Sequence, residues 1–143
     1  MQIDLKYRNL EAKRFLPVSG PVNINNNSTL TAVSKIDEKL EIDFVFSTNY
    51  QPNIGLIRIE GNLLLSDSKE SIDRAIKEWE RSGRKNLPTD IAEKVHNIIL
   101  SNCIAEAVIL SMGIHLPPPI PTPHVSIKQK ETKSKKETGS YIR

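Results

Sequence analysis

Cysteine, tryptophan and aromatic residues in general are scarce in this chain. A single Cys103 among 143 residues excludes an intramolecular disulfide framework. His96, His115 and His124 are scattered around it without the close spacing of a zinc site, so no metal is expected. The six glycines are isolated and form no phosphate-cradling loop, and no cofactor is expected either. Aromatics make up only 5% of the residues, which points to a modest core that a partner copy would complete. No uninterrupted apolar run reaches the roughly 18 residues that cross a bilayer. The opening "MQIDLKYRNLEAKRF" is charged and alternating, unlike a signal or transit peptide. A cytoplasmic protein with no stable membrane insertion is the expectation. Cys103 lies in a strongly apolar stretch, where a thiol is inert. No nucleophile–base pair or catalytic carboxylate pair stands out, so no enzyme is expected.

Charge is present but unevenly placed. The chain carries a formal +3, and the segment Ser126–Arg143 alone holds six basic and two acidic residues. The remainder has 14 basic and 15 acidic residues, so the basicity belongs to the tail. Residues 1–125 therefore read as one α+β domain and 126–143 as a basic, disordered tail. Lys128, Lys130, Lys133, Lys135 and Lys136 are its candidate contacts to ribosome or RNA, an attraction that salt would weaken.

The first half alternates as strands do. Ile3, Leu5 and Tyr7 share one face of a first strand, and the pattern blurs beyond Leu10 as a bulge would make it. "PVSGPVNINNNST" reads as a loop, followed by a strand over 29–36 with Leu30, Ala32 and Ile36 on one face. "DEK" turns the chain. Leu40, Ile42, Phe44 and Phe46 then give the clearest alternation, and a fourth strand over 54–65 aligns Ile57, Ile59, Gly61, Leu63 and Leu65. Short turns between strands favour an antiparallel sheet of four.

Two helices follow. Asp67 with Glu70 three residues on suggests a capped start, and Ile72, Ala75, Ile76 and Trp79 form an apolar stripe ending near Gly83. Trp79 is read as a core or interface anchor ahead of a substrate platform. Thr89 is the expected cap of a second helix running to about Met112, with Ile91, Val95, Ile98, Asn102, Ala105, Ile109 and Met112 on one line. This helix is apolar nearly all round after Ile98, so it needs cover on more than one side. Glu106 within it calls for a cation or a rim position. "LPPPIPTP" cannot be helical and is expected to run as an extended strap over 116–125, anchored by Leu116 and Ile120.

Three stretches resemble the SecB family of protein-export chaperones: "IDLKYRNLEAKRFLP", "KLEIDFVFSTNY" with "IGLIRIEGNLLL", and "LPTDIAEKVHNIILSNCIAEAVILSMGIHLPPPIP". They are similar to that family's opening strand, central strand pair and long final helix. The resemblance implies a homo-oligomer, a dimer or dimer of dimers, that holds unfolded polypeptide clients in apolar grooves without ATP. It makes Phe44, Phe46, Ile57, Ile59, Leu63 and Trp79 the candidate peptide-binding residues. The basic tail departs from the family's acidic one.

Overall fold

A computed structural model of the chain describes residues 1–120. Strands β1 (Gln2–Arg14), β2 (Asn23–Ile36), β3 (Lys39–Gln51) and β4 (Gly55–Ser66) precede helices α1 (Lys69–Arg81) and α2 (Thr89–Gly113). The strands form one antiparallel sheet in the order β1-β4-β3-β2. The two strands with the strictest two-residue alternation hold the centre. Leu40, Ile42, Phe44, Phe46 and Tyr50 of β3 and Ile57, Ile59, Leu63 and Leu65 of β4 are all buried on the helix-covered face. Asp37 and Glu38 join β2 to β3 with φ of 48° and 62°, the left-handed pair of a type I′ hairpin turn.

β1 carries the anticipated bulge, but at Arg8, where the register shifts between Tyr7 and Asn9. Ile3 and Leu5 lie opposite Leu65 and Leu63 before it, and Leu10 and Ala12 lie opposite Ile59 and Ile57 after it. One inserted residue thus keeps both halves of the strand facing the same core.

β2 departs from expectation. It begins at Asn23, so "NINNNST" is strand and not loop. Asparagine has little strand preference, but here the ladder to β3 overrides it. Asn26 is also satisfied at both ends of its amide. The Thr48 hydroxyl donates to its Oδ1 at 2.6 Å, and its Nδ2 donates to the Pro119 carbonyl at 3.1 Å. A second bulge between Leu30 and Ala32 turns Val33 inward in place of Ala32 and leaves Ile36 exposed.

The helix caps lie one residue away from their expected positions. Ser68, not Asp67, caps α1 by accepting the Ser71 N–H at 3.2 Å, while Asp67 accepts the Ser68 N–H. At the other end Gly83 takes φ of 73°, and the Arg84 and Gly83 N–H groups close onto the Trp79 and Glu80 carbonyls. That is a Schellman stop, which favours glycine at this position. Pro88 rather than Thr89 is the N-cap of α2, without a side-chain bond. Arg74 grips Asp90 with two bonds of 3.1 and 2.9 Å, tying α1 to the start of α2. This grip holds the Asp90 carboxyl down at about 2.

α2 buries Ile91, Val95, Ile99, Cys103, Ala107 and Ser111, a line with strict four-residue spacing. Such a row is inclined to the helix axis, which lets a straight helix lie obliquely across a twisted sheet. The expected line is half-buried at Ile98 and exposed beyond it, at Asn102, Ala105, Ile109 and Met112. By length and apolar composition alone, α2 would suffice to cross a membrane; its buried line faces the sheet.

After α2 the chain returns over the end of the sheet. Leu116 is buried against Gly55 of β4, the Tyr50 hydroxyl of β3 donates to the Pro117 carbonyl at 2.7 Å, and Asn26 of β2 reaches Pro119. Ile120 is 54% exposed and anchors nothing within the described residues.

Candidate functional site

The six residues singled out as peptide contacts all lie in the core. Phe44, Phe46, Ile57, Ile59 and Leu63 are 0% exposed and Trp79 is 2% exposed. The alternation and helical spacing that mark them are signals of burial, and here they cement the sheet to the helices. They are therefore not on the surface of the single folded chain. The five tail lysines, Lys128, Lys130, Lys133, Lys135 and Lys136, lie outside the described residues.

Apolar surface left open is found elsewhere. Tyr7 and Leu10 on β1, Phe15, Leu16 and Val18 in the loop after it, and Ile109 and Met112 on α2 are all more than a third exposed. The Tyr7 hydroxyl donates to the Asn102 carbonyl at 2.9 Å, which sets the β1 edge alongside the middle of α2. Nearer the start of both elements an open depression of about 510 Å³ is lined by Met1, Ile3, Lys94, Asn97 and Ile98. Between Ile98 and Ile114 the only charged side chain is Glu106, which is half-buried and pairs with no lysine or arginine among the described residues. Sequence reasoning recognised the surplus of apolar positions on α2 but not which side would meet water. The four-residue spacing of the buried line was the available signal.

The opposite face of the sheet has another character. Arg8 lies 3.8 Å from Asp43 and 3.5 Å from Glu60, Arg58 lies 3.0 Å from Glu60, and Asn62 donates to both Glu41 and Asp43. These exposed pairs contribute little stability, but they make this face polar and unsuited to apolar capture.

Burial, and then the Glu106 carboxylate, push the Cys103 thiol up to about 12, so it stays protonated at neutral pH. Burial first, and then the neighbouring Cys103 and Glu106, raise the Tyr7 phenol. No cluster of three potential metal ligands occurs among the described residues. A second depression, of about 700 Å³, lies where α1 leads into α2 and includes Glu78, Pro88, Glu93 and His96.

His96 hydrogen-bonds Ser28 of β2 through Nδ1, and burial lowers its pKa. The unfolded chain therefore takes up the proton first as pH falls, at about 6.5. Stability is fully present above that value and is lost as pH descends toward the folded pKa. The thermal midpoint should fall between pH 7 and 5, and His96→Gln should flatten the part of that slope due to this residue. An unchanged slope in the variant would show that His96 titrates alike in both states.

No protein-family model and no curated protein matches the chain. Among solved structures, it is similar to the Mycobacterium tuberculosis Rv1957 SecB-like chaperone in complex with a ChAD peptide from the Rv1956 HigA1 antitoxin. The likeness has a TM-score of 0.57 at 13% identity and covers 87% of this chain and 89% of that one. Four antiparallel strands followed by two helices, in this arrangement, are the SecB-like fold.

Proposed function

We propose that the protein is an ATP-independent, chaperone-like binder of unfolded polypeptide segments. The observation that carries this reading is the open apolar surface along β1, its following loop and the outer side of α2. The structural neighbour, a chaperone in complex with a peptide, supports the same reading at the level of fold. Capture is an equilibrium without a covalent step. Each Å² of apolar surface removed from water contributes about 25 cal/mol, and a folded client offers little such surface. Ile109 and Met112, at 58% and 64% exposed, would make that contact. Phe44, Phe46, Ile57, Ile59, Leu63 and Trp79 form the rigid support beneath, and would touch a client only if the helices lifted. A homo-oligomer, a dimer or dimer of dimers, would cover part of the remaining apolar surface.

The test is binding of a permanently unfolded polypeptide at physiological salt, with its folded counterpart as control. Selective binding is expected, and Ile109→Lys with Met112→Lys should weaken it at least about tenfold, or about 1.4 kcal/mol. Both side chains are exposed, so the thermal midpoint of the variant should hold. Equal affinity for folded and unfolded forms, or no binding, would overturn the proposal. Sedimentation of the free protein reads the oligomeric state independently.

A further inference from the structure

The two edges of the sheet are built differently. β1 carries Asp4, Lys6, Arg8, Glu11, Lys13 and Arg14, the kind of charged side chains that discourage strand pairing. β2 has none until Lys35, and the chain is uncharged from Phe15 to Ser34. Among the described residues the main chain of β2 bonds to β3 and to no other segment. The bulge after Leu30 interrupts the ladder before it resumes at Ala32, so the longest unbroken stretch of this edge is Asn23–Leu30, roughly 27 Å long at about 3.4 Å per residue.

The hairpin turn fixes which groups face outward. Ile36 and Lys39 flank a two-residue loop and form a hydrogen-bonded pair, and such pairs alternate along an antiparallel ladder. Counting through the bulge, Ile24, Asn26, Ser28 and Leu30 point their N–H and C=O groups away from β3. Their side chains turn toward the helix layer, while Asn23, Asn25, Asn27 and Thr29 are exposed.

We propose that the Asn23–Leu30 edge takes an extended polypeptide segment as a fifth strand. The inference rests on the polypeptide-binding reading and goes beyond it by assigning a second locus. Main-chain bonds along a strand edge give affinity without demanding a sequence, as a binder of varied unfolded chains requires. The strap reaches this edge at Pro119. A second folded copy would have to meet the strap as well as the strand, whereas a single extended segment need meet only the main chain.

Residue-resolved amide exchange on the full chain tests this, with and without saturating permanently unfolded polypeptide. Addition should slow exchange at Ile24, Asn26, Ser28 and Leu30. Asn25→Lys with Asn27→Lys, both at exposed positions, should lower affinity roughly tenfold with the fold intact. Binding that leaves those four amides exchanging freely would overturn the fifth strand while sparing the chaperone reading. No binding would overturn both. Protection already present in the free protein would assign the edge to another segment of this chain or to a second copy, and would also overturn the inference.

Discussion

Gly61→Ala should cost about 3 kcal/mol of stability, and Gly61→Val should leave little folded protein. Gly61 sits in the buried row of β4, opposite Tyr7 on β1 and Phe44 on β3. A Cβ built there would lie 2.5 Å from the Lys6 carbonyl oxygen and 2.5 Å from Cζ of Phe44. The Phe44 ring fills the space that a side chain would need, which is why this strand position requires glycine. A ring can tilt, but the carbonyl belongs to the paired main chain of β1 next to the Arg8 bulge. Relief would therefore require the β1 ladder to move. Urea unfolding measures the loss. Phe44→Leu introduced beside Gly61→Ala should recover only part of it, because the carbonyl clash persists. A Gly61→Ala protein within about 0.5 kcal/mol of the parent would refute the close-approach account.

Trp79→Ala should be the costliest helix substitution, at about 3–5 kcal/mol. The indole is buried where α1 closes on the sheet, and its backbone carbonyl accepts from Ser82 Oγ and the Arg84 N–H, joining core to helix stop. As the only tryptophan, it also reports on its own surroundings. Its fluorescence should be that of a buried indole and should move on unfolding but not when an unfolded polypeptide binds. A shift on binding without loss of fold would bring Trp79 into the contact surface and show that α1 lifts.

Strand alternation made the centre of the molecule legible from sequence, because β3 and β4 are buried on one face along nearly their whole length. The SecB-like architecture followed from those strands and the apolar second helix. The edge strand was harder to read. Asn23 to Thr29 owe their strand conformation to pairing with β3 and to the Asn26 amide bridging Thr48 and Pro119, contacts that local preference does not encode. The cap of α1 was displaced by one residue because Asp67 and Ser68 can both accept at a helix start. The open apolar surface was least legible. The apolar spacing of α2 supports two neighbouring lines, and only the oblique docking on the sheet decides that Ile99 and Cys103 face inward while Ile109 and Met112 face out. The six residues chosen for their apolar strength were buried for the same reason.

The strap that closes the sheet end has an asymmetry with its own consequence. Pro117, Pro118 and Pro119 have no N–H, and both described side-chain bonds to the strap are donated from the sheet to its carbonyls. These three residues can receive but not give. A segment of this kind can lie over an apolar floor without being recruited as a strand, and it offers no donors through which pairing could spread to a neighbouring molecule. Where Pro117–Pro119 cross it, the end of the sheet is thus closed by main chain that has no donor with which to propagate it.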